Sequence, residues 1–259
     1  ITPWNFPMTI AAWGFAPALA AGNAVVLKPA EWTPLTSVRL AALAAEAGLD
    51  PDLFQVLPGR GSVVGERFVT HPDVRKVVFT GSTAVGTRVM AGAAARVKRV
   101  TLELGGKSAN IVFDDCDLER AAATAPYGVF DNAGQDCCAR SRILVQRTVY
   151  DRFMELLEPA VRGVVVGDPN DRGTEMGPLV AKPHWESVRS FVPDDAPVAP
   201  GVHYLCVGQH LARLARERGA PADHVGVQVT LAGSGILRAP MVLADIDGNE
   251  FCVLSSRDR

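Results

Sequence analysis

The chain has 259 residues, which fits one large or two small domains. Hydrophobic residues at 48% and charged residues at 21% exclude a disordered chain, and 24 glycines and 18 prolines without a triplet period exclude a collagen-like one. A net charge of −2 gives no basic signal for nucleic acid or an anionic membrane surface.

The elements follow in chain order. Ile1 to Leu27 carries no charged side chain. Pro3, Pro7 and Pro17 interrupt the run, and Gly22-Asn23 is a turn signal. It therefore reads as an extended lead-in, a short Ala-rich helix, a turn and a strand at Ala24–Leu27, not as a membrane helix or a signal peptide. Thr33 and Pro34 look like an N-cap and first helical position. The helix they open runs through Leu35, Val38, Ala42 and Ala45 to a C-terminal glycine, Gly48. Strands are expected at Leu53–Leu57, Lys76–Thr80, Arg99–Glu103, Asn110–Phe113 and Arg142–Gln146. Gly59, Gly61 and Gly65 open a loop and helix. Ser82 caps a further helix, Asp117 caps one running to about Asn132, and Thr148 caps one with apolar positions Tyr150, Phe153, Leu157 and Val161. This alternation implies βαβ units: an α/β fold with a mainly parallel sheet and ligands beyond the strands' carboxyl ends.

Phe191–Gly201, with Pro193, Asp194, Asp195, Pro197 and Pro200, reads as a linker. After it, Val202–Val207, Gln209–Arg218, His224–Leu231, Met241–Ala244 and Glu250–Leu254 make a βαβββ pattern. Five cysteines with no C-x-x-C pair are not a disulfide scaffold and point to a reducing interior; a cytoplasmic location is expected from the lack of a targeting signal.

Several residues could carry chemistry. Cys137, in Gly134-Gln135-Asp136-Cys137-Cys138-Ala139, is placed at a loop-to-helix junction, where a helix N-terminus stabilises a thiolate; a buried small hydrophobe is the competing reading. Glu103 ends an apolar strand before Leu104-Gly105-Gly106-Lys107. It is well placed for a general base, although taken alone a solvated strand end or a pair with Lys107 is the commoner reading. Phe79-Thr80-Gly81-Ser82-Thr83-Ala84-Val85-Gly86 joins strand to helix, where amides can bind phosphate, although it is no P-loop. Lys28 and Glu31 follow a strand and could hydrogen-bond a ribose, or form an ordinary exposed pair.

In order along the chain stand Pro3-Trp4-Asn5-Phe6-Pro7, Lys28-Pro29-Ala30-Glu31, Phe79-Thr80-Gly81-Ser82, Glu103-Leu104-Gly105-Gly106-Lys107 and Gly134-Gln135-Asp136-Cys137. Together they make Ile1 to about Ala199 resemble the NAD(P)-dependent aldehyde dehydrogenase superfamily. The resemblance implies a Rossmann-like parallel sheet with an incomplete catalytic lobe: a partial NAD-binding domain at 1–104, a partial catalytic domain at 105–192 and a linker at 193–201. It implies Cys137 as nucleophile toward a small-molecule aldehyde, Glu103 as the base that activates water, and Asn5 with the Cys137 N–H as oxyanion donors. Lys28 and Glu31 would contact the adenosine ribose. Gly81 and Ser82 would contact the pyrophosphate, Gly61 would allow close approach, and Trp4 and Leu104 would line the cofactor side. A carboxylate at Glu31 favours NAD over NADP.

Against the family pattern, the region before Pro3, the later E-x-F-G-P motif and the C-terminal catalytic and oligomerisation segments have no counterpart. The expectation is a family chain cut at both ends, in a family usually homo-oligomeric. The alternative is an inactive remnant that at most binds nucleotide. The tail, 202–259, resembles one module of the glyoxalase/bleomycin-resistance superfamily, on Val202-His203-Tyr204-Leu205 and on the run from Leu243 to Phe251. Cys252 stands where that module's metal-binding members carry a glutamate, so no metal site is expected there or elsewhere.

Overall fold

The computed structural model describes residues 1–191 and the antiparallel backbone pairing of β7 (Leu243–Ala244) with β8 (Glu250–Phe251). The remainder of the expected βαβββ module, and most of the linker, lie outside the described residues. The chain divides into two compact units, Ile1–Gly105 and one that starts at Gly106.

The first unit alternates α1 (Pro7–Ala20), β1 (Val25–Leu27), α2 (Leu35–Glu46), β2 (Phe54–Val56), α3 (Glu66–Thr70), β3 (Lys76–Thr80), α4 (Thr83–Ala94) and β4 (Arg99–Glu103). β1 pairs with β2 and β3 with β4, both in parallel. The expected single sheet is thus two short ladders, joined by the first residues of the chain. The Thr2 N–H donates to the Lys28 carbonyl at 3.0 Å and the Thr80 N–H to the Ile1 carbonyl at 3.1 Å. The Ile1 nitrogen donates to the Val78 carbonyl at 2.8 Å. Ile1–Thr2 is therefore a seam between the end of β1 and β3.

Each ladder buries its own apolar face. Leu27 and Phe54 pack with Ala11 of α1, and Phe15 stacks on Phe54 at 4.7 Å between ring centroids. Val77 and Phe79 pack with Val69, Val89 and Ala93. Gly22 and Gly48 take positive φ, +76° and +93°, just after α1 and α2, where a side chain would be strained. Pro17, one of the prolines in the uncharged run, lies inside α1. It falls in the last turn, so only one backbone bond is lost, at a point where Trp13 is solvent-exposed. No helix among the described residues is long and apolar enough to cross a membrane.

The second unit begins with β5 (Ala109–Val112), α5 (Leu118–Thr124), α6 (Tyr127–Phe130), β6 (Arg142–Val145), α7 (Tyr150–Arg162) and α8 (Lys182–Arg189). β5 and β6 pair in parallel. Phe153, Leu157 and Val161 of α7 pack with Val112, Ile143 and Ala122, the helical period expected of that segment.

Two expected caps are realised: Ser82 accepts from the Val85 N–H, and Asp117 from the Arg120 N–H. Two are not. Thr33 Oγ1 donates to the Trp4 carbonyl at 3.3 Å, and α2 starts one residue after Pro34. Thr148 Oγ1 points at Asp114, inside a 3-10 turn that precedes α7. The helix expected from Asp117 to about Asn132 is broken. Pro126 separates α5 from α6, and Asn132, Ala133 and Gly134 then take left-handed φ of 51°, 56° and 71°.

Candidate active site

In the first unit the candidate residues gather in two groups. One lies at the carboxyl ends of β1 and β2. Lys28 is buried, and its Nζ donates to the Pro29 carbonyl at 2.6 Å; burial pushes its pKa down while Glu31 acts in the opposite direction. The Glu31 carboxylate accepts the Gly61 N–H at 2.8 Å. A Cβ on Gly65 would come within 3.9 Å of the Lys28 side chain, an ordinary contact distance, so the glycine loop lies beside the lysine. Trp4 joins this group through its carbonyl, which Thr33 reaches, and through its ring, 6.0 Å from that of Trp32. Asn5 follows at the bend before α1, half-buried.

The second group lies where β3 and β4 end together. Thr80 pairs with Glu103 in the ladder, and the Gly81 N–H donates to the Glu103 carbonyl at 3.0 Å. Ser82 opens α4. Leu104 packs on Gly86 of that helix, so closely that a Cβ there would sit 2.7 Å from Cδ2. Glu103 itself is exposed.

In the second unit Cys137 lies in a turn between the left-handed Asn132–Gly134 and β6. No helix starts there, so the expected helix N-terminal stabilisation is corrected. Burial chiefly pushes the thiol's pKa up, aided by the Cys138 thiol and the Asp136 charge. The Cys137 and Cys138 sulfurs are 3.8 Å apart, and the Cys138 N–H donates to Asp136 Oδ1 at 2.8 Å.

The turn is fastened from three sides. Asn132 and Gln135 exchange side-chain bonds with each other's carbonyls, at 3.2 and 3.0 Å. Gln135 Oε1 accepts the Val180 N–H at 2.9 Å. Gly106 lies so close that a Cβ would stand 3.1 Å from the Cys137 carbonyl oxygen. The last two constraints were not foreseen. Gly106 was visible in its motif as a glycine beside Glu103, but nothing in spacing ties Gln135 to Val180. Lys107 is exposed as a residue; partial desolvation lowers its pKa, and its Nζ donates to the Gly106 carbonyl, not to Glu103.

A nicotinamide dinucleotide suits the first unit's residues. A buried ammonium and an anchored carboxylate just after β1 could supply the donor and acceptor that a ribose diol needs. The Ser82-capped start of α4 offers backbone amides to a pyrophosphate.

The family model described as "Aldehyde dehydrogenase family" matches residues 1–222, and the chain belongs to that family. The match enters the segment expected to be a separate module. Mitochondrial aldehyde dehydrogenase of Leishmania tarentolae is 51% identical over 75% of this chain and 39% of its own length. A crystal structure of gamma-glutamyl-gamma-aminobutyraldehyde dehydrogenase from Burkholderia cenocepacia J2315 superposes with a TM-score of 0.70 at 51% identity, covering 73% of this chain and 38% of the other. An indole-3-acetaldehyde dehydrogenase complexed with NAD+ gives 0.71 at 46% identity, covering 73% and 39%. The chain thus spans about two-fifths of the length of these aldehyde dehydrogenases, and 21% of the longer cytosolic 10-formyltetrahydrofolate dehydrogenase of Xenopus tropicalis.

Proposed function

We propose that this chain supplies the nucleotide-binding and cysteine-nucleophile parts of an NAD-dependent oxidation of an aldehyde to a carboxylate. The observation that carries the reading is Cys137, held in a turn fastened by Gln135, Asn132 and the backbone approach of Gly106, in a chain of the aldehyde dehydrogenase family.

The Cys137 sulfur attacks the carbonyl carbon, and the aldehyde oxygen takes up negative charge. The Asn5 side-chain amide and the Cys137 N–H hold that charge. Burial keeps the resting thiol protonated, so the attack needs a base to take the proton; Glu103 fills that role. When bound, NAD supplies the acceptor for the hydride that leaves the thiohemiacetal. Glu103, exposed, passes the thiol proton to solvent and, again a carboxylate, draws a proton from water, which attacks the resulting thioester and frees Cys137. Lys28 and Glu31 orient the adenosine ribose, Gly61 admits the backbone close to it, and Gly81 and Ser82 present amides to the pyrophosphate. Trp4 and Leu104 shape the cofactor side. The Glu31 charge sets the preference for NAD over NADP, because a ribose 2′-phosphate there meets a carboxylate. The free thiols of Cys116, Cys137 and Cys138 support a reducing, cytoplasmic location.

The test mixes the chain with NAD and a panel of aliphatic and aromatic aldehydes and follows NADH by absorbance. Turnover that disappears in Cys137→Ser while NAD binding persists is expected. NAD binding without turnover in the parent chain overturns the catalytic half of the reading and leaves nucleotide binding standing.

A further inference from the structure

Asp136, Cys137 and Cys138 bring two sulfurs and a carboxylate oxygen within 4.8 Å of one another. The two sulfurs are 3.8 Å apart. With Zn–S bonds of roughly 2.3 Å, two sulfurs on a tetrahedral zinc stand about 3.8 Å apart, the edge of that tetrahedron. The Cys138 N–H bond to Asp136 Oδ1, at 2.8 Å, holds the carboxylate beside the thiols. Cys138 is exposed and Cys137 half-buried, so a hydrated cation can reach the pair and keep a water as fourth ligand. The three residues are consecutive in a turn already fixed by the Asn132–Gln135 and Gln135–Val180 bonds, so little ordering remains for binding to impose.

We propose that Asp136, Cys137 and Cys138 form a site for one thiophilic divalent cation of the zinc class. Binding exchanges two S–H bonds for two metal–sulfur bonds, releases two protons to water and moves no electrons. It also occupies the Cys137 sulfur. On the reading above, the cation is therefore an inhibitor that competes with the aldehyde and not a catalyst; the site itself does not depend on that reading.

The probe is Co2+, titrated anaerobically into the reduced, reductant-free full chain. The expected result is a near-ultraviolet thiolate-to-cobalt band, with visible bands of tetrahedral cobalt, complete at one equivalent and bleached by Zn2+. Cys138→Ser should bind at least about tenfold more weakly with roughly half the band, and Asp136→Asn more weakly with the band retained. Cys137→Ser/Cys138→Ser should show no band. A second reading uses the unmutated chain: Zn2+ should slow iodoacetamide labelling of Cys137 and Cys138 but not of Cys116, read by peptide mass. No band in the unmutated chain, a band that survives in the double variant, or equal protection of Cys116 would overturn the proposal. None of these readouts requires aldehyde turnover, so the metal site and the dehydrogenase reading fail separately.

Discussion

Glu31 and Gly61 are joined by a 2.8 Å hydrogen bond from the Gly61 amide to Oε1 of the carboxylate, across 30 positions of sequence. The bond fixes a negative charge at the carboxyl ends of β1 and β2, beside the buried Lys28. Replacing Glu31 by Gln keeps an acceptor for Gly61 and removes the charge. Glu31→Gln is expected to raise affinity for NADP relative to NAD by about tenfold, or about 1.4 kcal/mol. Fluorescence titration with both nucleotides checks it; an unchanged ratio refutes the assignment of Glu31.

The thiol of Cys137 is held above its ordinary pKa of 9.0, first by burial, then by the neighbouring Cys138 thiol and the Asp136 charge. Each of these disfavours the thiolate, so removing one lowers the pKa. In Cys138→Ala the pH profile of iodoacetamide labelling at Cys137 is expected to move toward neutrality. A profile that stays in place or moves upward contradicts this electrostatic account.

Gly106 leaves 3.1 Å between a built Cβ and the Cys137 carbonyl oxygen, and a backbone oxygen yields less readily than a side-chain tip. Gly106→Ala should therefore cost about 1 kcal/mol or more and shift the nucleophile turn. Thermal unfolding and the labelling rate of Cys137 measure the two effects. If both match the parent chain, the approach is not tight.

Ala133 holds a φ of 56° between two other left-handed residues. That conformation costs an ordinary residue about 1–2 kcal/mol, and glycine avoids it at the expense of a more flexible unfolded chain. Ala133→Gly is expected to stabilise the second unit by roughly 0.5 kcal/mol net. Urea unfolding that shows a loss instead would mean that the Ala133 methyl packs usefully.

What was legible from sequence was local. β3 and β4 fall where their apolar runs place them, Lys76–Thr80 and Arg99–Glu103, and Ser82 and Asp117 cap the helices they precede. The two threonines failed because their hydroxyls serve distant partners: Thr33 binds the Trp4 carbonyl and Thr148 turns to Asp114. No short-range pattern distinguishes a hydroxyl that caps from one that bridges. The break before Cys137 was half visible, since Pro126 and Asn132, a residue that tolerates left-handed backbone, are in the sequence, whereas left-handed Ala133 has no composition signal. The candidate site divides the same way. Its motif residues could be read off the chain, but the Gly81–Glu103 and Gln135–Val180 bonds depend on which strands and loops become neighbours.

The Ile1–Thr2 seam bears on how the first unit comes together. Its bonds to β3 join positions 77 and 79 apart, whereas α2 and α4 close over a few residues. Loop-closure entropy makes such a long-range closure slow compared with helix formation. The two ladders can each assemble around a local helix and still be separate. The same bonds occupy backbone groups at the end of β1 and along β3 that would otherwise be open to pairing with other strands.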